Sequence, residues 1–262
     1  MKTWKIVILS SLLVSGVAVA GNEDKGGGSW PPGGGSSGGS GVTLPDIPLI
    51  TGKAPIVPQN GKWDQAIHIY QPGTGNFSQA NQASSSGSVI DVHQYGNYGS
   101  STVNQTATKS AVFVNQYGTG NQSSATQNGT TSSISVTQKG TNNTSSATQQ
   151  LGGAGNAIVV SQDGIANSSG VKQSGTGNSS SVLQTGNLNL SDIVQAGKNS
   201  IVDVQQTVGS NKSYVTQSAN DSAILVAQTN AGNFSNVNQT HNTAVTYVQQ
   251  SGLGNTSYVN QN

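Results

Sequence analysis

The chain has 262 residues, 32 % hydrophobic and 7 % charged, with no cysteine and a formal net charge of +1. It is polar (mean hydropathy −0.34) without being charged, and it has no arginine to fork onto a phosphate or a base edge, which excludes a basic nucleic-acid binder. Such a chain has no covalent staples, neither repels itself into disorder nor stays dissolved by net charge, and needs another source of order.

The first twenty residues, MKTWKIVILSSLLVSGVAVA, set Lys2 and Lys5 before a mostly apolar stretch at 6–14 and finish on Ala18-Val19-Ala20. This is the pattern of a secretory signal peptide (1–20) cleaved after Ala20. The apolar run is too short to span a bilayer, so the mature chain is expected to be exported without membrane insertion. Without Lys2 and Lys5, eight lysines face nine acids, a net charge of −1. Residues 21–61 form an N-terminal segment, Gly- and Ser-rich to position 40 and expected to be flexible. It then carries Pro45, Pro48, Pro55 and Pro58, each lacking the backbone donor a central strand needs. From Lys62 only Pro72 remains, and that shift marks the start of one repeat domain, 62–262.

Within it a glutamine closes eighteen consecutive segments: Gln71, Gln82, Gln94, Gln105, Gln116, Gln127, Gln138, Gln149, Gln162, Gln173, Gln184, Gln195, Gln206, Gln217, Gln228, Gln239, Gln250 and Gln261. Fifteen of the seventeen spacings are 11; the others are 12 (82 to 94) and 13 (149 to 162). A period this strict implies a stacked, one-dimensional structure whose units bury apolar surface only against their neighbours. In the representative unit 110–131, two runs of alternating character flank Tyr117-Gly118-Thr119-Gly120-Asn121, which predicts strand, tight turn, strand. Gln150, next to Gln149, is expected to open an enlarged turn with Leu151-Gly152-Gly153-Ala154-Gly155.

Counting back two and four residues from each Gln gives the residues on its face. Pairs such as Ile90/Val92, Val112/Val114 and Ile134/Val136 alternate with Ser101/Val103, Ser123/Ala125 and Ser145/Ala147, so the true period is 22. Ser180 stands where a large aliphatic residue is expected. Bulky side chains from one strand meet small ones from the strand facing it, which fills a narrow interior. The expected fold is all-β: a parallel two-sheet β-solenoid of nine strand-turn-strand rungs, roughly 43 Å long at about 4.8 Å per rung. Buried glutamine is costly unless its amide is satisfied, and a stack of identical glutamines satisfies each from the next rung. Asparagines at the start of the second strand are expected to do likewise: Asn76, Asn121, Asn143, Asn167, Asn178, Asn189, Asn211, Asn233 and Asn255.

Asp91, Asp192 and Asp203 fall on the outward face, and Lys109, Lys139, Asp163, Lys198, Lys212 and Asp221 in or beside turns, where charges modulate assembly. His68, His93 and His241 follow no metal-ligand spacing, and no serine is singled out as a nucleophile, so neither metal, cofactor nor enzymatic activity is expected. The last rung runs through SGLGNTSYVNQN and is expected to be an uncapped template for the first rung of another copy.

The unit S-x5-Q-x-G-x-G-N-x-A-x3-Q is present as Ser110, Gln116, Gly118, Gly120, Asn121, Ser123 or Ala125, and Gln127. It resembles the repeat of the curlin family, the amyloid fibre proteins of bacterial curli, over about 200 residues of the chain. The family's second-strand alanine is often Val or Ile here, as at Val182 and Ile193, and nine rungs exceed the familiar five. The resemblance implies that Ser110, Gln116, Asn121 and Gln127 face the rung interior. It also implies self-assembly, an outer-membrane secretion pore, periplasmic or surface accessory factors, a nucleator subunit, and a role in biofilm matrix and adhesion. A minor nucleating subunit of that family, or a monomeric solenoid binding ice or glycan, is the alternative; the last would need one repeated residue type on a flat outward face.

Overall fold

The computed structural model describes residues 65–83 and 86–262. The expected signal peptide, the 21–61 segment and residues 62–64 of the first expected rung lie outside them.

Period-two alternation produces strands throughout: β1 (Gln65–Tyr70), β2 (Gly73–Thr74), β3 (Phe77–Gln82), β4 (Ser88–Asn97), β5 (Ser100–Gln105), β6 (Ala111–Thr119), β7 (Gln122–Gln127), β8 (Ser133–Thr141), β9 (Thr144–Gln149) and β10 (Ala157–Ile165). They continue as β11 (Ser168–Gln173), β12 (Ser179–Asn187), β13 (Leu190–Gln195), β14 (Ile201–Gln206), β15 (Lys212–Gln217), β16 (Ala223–Gln228), β17 (Phe234–Gln239), β18 (Val245–Gln250) and β19 (Thr256–Gln261). The described residues contain no helix.

The strands form two sheets. The first runs β1-β4-β6-β8-β10-β12-β14-β16-β18, with the short β2 also paired to β4; the second runs β3-β5-β7-β9-β11-β13-β15-β17-β19. All pairings are parallel and in register, so Gln116 lies beside Gln138 and Gln127 beside Gln149. This is the expected β-solenoid of nine rungs. The 13-residue spacing leaves the register intact, because Gln138 still pairs with Gln162 and Gln149 with Gln173. The surplus is absorbed in the turn after β9, where Leu151 is 79 % exposed and a Cβ on Gly152 would meet nothing.

In the interior strands one stripe is buried and the other faces out, as parity requires. The core is a continuous file of Ile, Val and Ala along the stack, from Ile90 and Val92 to Val237 and Val248. Two assignments need correction. Val182 lies on β12 in the first sheet, so of the two cited aliphatic replacements only Ile193, on β13, is in the second. Asn178 immediately precedes β12, so it belongs to the turn opposite the one that holds the other eight asparagines.

The turns are held by left-handed backbone positions. Gly96, Gly118, Gly140, Gly164 and Gly186 form a file in which each Cα sits over the carbonyl of the next. A Cβ on Gly118 would lie 2.1 Å from Gly140 O. The second turn position is left-handed in every rung, whether glycine, as at Gly120 (φ 67°), or not, as at Tyr98, Asn142, Ala166, Leu188 and Ser210.

Candidate assembly site: side-chain ladders and open edges

The eighteen glutamines divide into two unbroken ladders, one on each sheet. On the first, Gln71 donates to Gln94, Gln94 to Gln116 (2.6 Å), Gln116 to Gln138 (2.8 Å), Gln138 to Gln162 (2.9 Å), and so on through Gln184, Gln206 and Gln228 to Gln250. On the second, Gln82 donates to Gln105 (2.8 Å), and the chain runs through Gln127, Gln149, Gln173, Gln195, Gln217 and Gln239 to Gln261. The amide nitrogen carries two protons, and the second usually crosses to the facing sheet. Gln116 donates to Ser100 O (3.0 Å), Gln138 to Gln122 O (2.9 Å) and Gln149 to Ser133 O (3.0 Å). A glutamine that makes both bonds ties its rung to the next and one sheet to the other. That explains why interior glutamines such as Gln138, Gln162 and Gln184 are fully buried without an unpaired amide.

Seven of the nine expected asparagines are buried too, Asn76 being half-buried and Asn255 exposed, but their bonding differs from the amide-to-amide ladder expected. The Oδ1 of Asn121 accepts from the backbone N–H of Asn143 (2.9 Å), while its Nδ2 donates to Tyr117 O (2.9 Å) and Gly140 O (3.1 Å). At the turn the side chain closes the turn's own backbone groups instead; on the outward strand face asparagine does reach its copy, as Asn81 to Asn104 (2.9 Å) and Asn238 to Asn260 (3.2 Å). Asn143, Asn167, Asn189, Asn211 and Asn233 repeat the oxygen contact, and Asn76 uses it toward Gly99 N. Asn255 closes the file as a donor, its backbone N–H bonding to Asn233 Oδ1 (2.9 Å). The opposite turn has its own column: Ser88, Ser110, Ser132, Asn156, Asn178, Ser200 and Ser222, each accepting from the residue one rung on. Asn156 was missed; its place 22 residues before Asn178 and 24 after Ser132 is the signal that finds it.

Serine behaves differently on the two sheets. Ser180, the exception in the aliphatic pattern, accepts from Gln173 (3.0 Å) and donates to Gln195 (2.7 Å), so it is stitched into the ladder. Thr246 does the same between Gln239 and Gln261. The buried hydroxyls of Ser78, Ser101, Ser123, Ser145, Ser169, Ser191, Ser213 and Ser235 make no protein hydrogen bond. Stacked one rung apart, about 4.8 Å, they are beyond each other's reach.

Inside, each ladder column is one residue type. Outside, one register column on the first sheet reads His68, Asp91, Phe113, Ser135, Val159, Ser181, Asp203, Leu225 and Tyr247. The stack thus imposes identity on its interior and leaves the exterior free.

Among the described residues, the stack ends in two outer edges. At one, β1 leaves Ile67 (46 %) and Ile69 (37 %) exposed beside Gln71, with Ser78, Ala80 and Gln82 half-buried on β3. At the other, Thr246, Val248 and Gln250 of β18 and Ser257, Val259 and Gln261 of β19 lie on the same inward face. Val248, Gln250, Ser257 and Val259 line a shallow cleft there.

The histidines are not all apart, as the spacing suggested. His68 Nδ1 and His93 Nε2 both lie 2.9 Å from Asp91 Oδ1 and 3.3 Å from each other. Burial first, then Tyr117, Tyr70 and Asp91, raises the Tyr95 phenol above its ordinary range, so it stays protonated at neutral pH, 3.2 Å from His93 Nδ1. Counting from the ladder reveals the pairing: His68 and Asp91 each stand three residues before a Gln.

No family model matches the chain and no curated protein matches it in sequence, so the ladders and edges are the observations from which function is read.

Proposed function

We propose that the chain is a structural subunit that polymerises head-to-tail into extracellular amyloid fibres of the curli type, supporting biofilm matrix, cell aggregation and surface adhesion. One observation carries this reading: the two outer edges present matching inward columns. Ile67, Ile69 and Gln71 continue the pattern of Thr246, Val248 and Gln250, and Ser78, Ala80 and Gln82 continue that of Ser257, Val259 and Gln261. Docking one on the other extends both sheets by the parallel pairing already used in every rung.

Hydrogen-bond polarity matches as well. Every ladder glutamine with a rung after it donates toward that C-terminal rung, and the Oε1 atoms of Gln71 and Gln82 accept from no described residue. At the far edge, Gln250 donates one amide proton to Phe234 O (2.9 Å) and keeps the other for an acceptor on the next copy. The fibre is therefore polar, with Gln250 donating to the next copy's Gln71 and Gln261 to its Gln82. The mixed outward columns do not offer the repeated single-residue face of an ice- or glycan-binding solenoid.

In this reading the chain passes an outer-membrane pore after signal-peptide removal, a nucleator subunit starts the fibre at the surface, accessory factors escort the chain, and no nucleic acid or cofactor takes part. The test is seeded growth of the purified chain lacking residues 1–20. Fibres should lengthen from preformed seeds and give a meridional reflection at about 4.7–4.8 Å. Protein that stays monomeric through prolonged seeded incubation contradicts the proposal.

A further inference from the structure

Outside the ladders, one cluster of side chains has the chemistry of a ligand site. His68 on β1, and Asp91 and His93 on β4, present two imidazole nitrogens and one carboxylate oxygen at the corners of a triangle with sides of 2.9, 2.9 and 3.3 Å. Donors bound at about 2.0–2.1 Å to a single ion sit about 2.9–3.4 Å apart in octahedral or tetrahedral geometry. The three are already at coordination spacing and need no backbone movement to close on a metal.

Their surroundings fit the same role. The side chains are about one quarter exposed, 25 % for each histidine and 28 % for Asp91, so an ion reaches them from solvent. Tyr70 and Tyr95 pack edge-on against the His93 ring, with centroids 5.8 Å away, and fix its plane. Tyr95 Oη, 3.2 Å from His93 Nδ1, accepts that N–H when Nε2 is the metal-binding atom; this outer contact sets the tautomer. Register brings the donors together: β1 pairs with β4 so that His68 lies beside Asp91 and Tyr70 beside His93.

We propose that His68 Nδ1, Asp91 Oδ1 and His93 Nε2 form a binding site for one borderline divalent transition ion, with Zn2+ as the probe. Two imidazoles and one carboxylate suit Zn2+ and its neighbours in the series, whereas Ca2+ and Mg2+ require oxygen donors. Because the ligands come from adjacent rungs, the ion pins edge strand β1 to β4, the strand on which β1 depends for its place in the first sheet. The site stands apart from the fibre reading, since its test uses freshly dissolved chain and does not require polymerisation.

Zn2+ binding is measured on the full chain by competition with a chromogenic chelator, and the ligand set by the visible absorption of Co2+ in place of Zn2+. One ion per chain is expected, with affinity lowered at least tenfold in His68→Gln, His93→Gln and Asp91→Asn and unchanged in His241→Gln. Amide exchange in β1 should slow when Zn2+ is added. All three ligands face outward, so the variants keep the interior ladders, and an unchanged far-ultraviolet circular dichroism spectrum verifies this. A wild-type chain that binds no Zn2+, or ligand variants that bind it as tightly as wild type, overturns the site.

Discussion

A glutamine side chain has two N–H donors and one carbonyl acceptor, and Gln138 uses all of them: it accepts from Gln116 and donates to Gln162 and to Gln122 O. Gln138→Leu fills the space but strands a donor on Gln116 and an acceptor on Gln162, each costing about 1–3 kcal/mol in a buried site. Denaturant unfolding should show a loss of about 2–6 kcal/mol, while Gln261→Leu at the half-buried outer rung should lose much less. Ser145→Ala makes the opposite test. Its hydroxyl has no protein partner, so stability should hold or rise. Asp203, half-buried between Ser181 and Leu225, has its carboxyl raised above 3.8 by burial, against the lowering effect of hydrogen bonds from Gln205 and Ser181. The folded state thus binds more protons than the unfolded one between the two values, and stability falls as pH rises through that window. Asp203→Asn should therefore be more stable than wild type at neutral pH and show a flatter profile on the acid side; equal profiles would remove Asp203 from the account.

Turns show what the stack demands of local backbone. A Cβ at position 118 would overlap the carbonyl of Gly140 at a φ of 106°, so Gly118→Ala should be strongly destabilising, read as a lowered unfolding midpoint. In the same file Val208 holds φ 79° with a β-branched side chain that is 53 % exposed. Such a conformation costs about 1–3 kcal/mol, so Val208→Gly should raise the midpoint, opposite in sign to the usual glycine substitution. Deleting Leu151 and Gly152 should leave unfolding and seeded growth nearly unchanged, because the turn after β9 already carries those residues outside the register. Strands, register and the two glutamine ladders were legible in the sequence because periods of 2 and 11 leave each Gln only one face to occupy. The left-handed Tyr98, Leu188 and Val208 were not, since neighbouring rungs override their local preference. The asparagine bonding was also hidden: sequence shows that Asn121 recurs, but only geometry shows that its oxygen takes a backbone proton. Asn178 was misplaced because two opposite turns both carry asparagine, and only the strand that follows tells them apart.

At the scale of the whole molecule, the nine rungs set an unlike exterior around a repeating interior, and the proposed fibre would continue that interior from copy to copy. The His68–Asp91–His93 cluster does not show in residue spacing alone, because His68 stands 23 and 25 residues from Asp91 and His93 and meets them only through the rung register that the glutamine ladder sets. The first edge should meet the last edge of another copy with β3 beside β19, which sets Asn81 next to the other copy's Asn260, one position before each ladder Gln. Both face outward, and neighbouring parallel strands place their Cα atoms at about 4.8 Å, inside the 4.4–6.8 Å range a disulfide spans. The native chain has no cysteine to confuse the result. The deciding measurement is therefore disulfide trapping in fibres grown from a mixture of Asn81→Cys and Asn260→Cys chains. Head-to-tail stacking predicts covalent heterodimers from the mixture and almost none from either variant alone; homodimers at equal yield, or no cross-link in well-formed fibres, would contradict it.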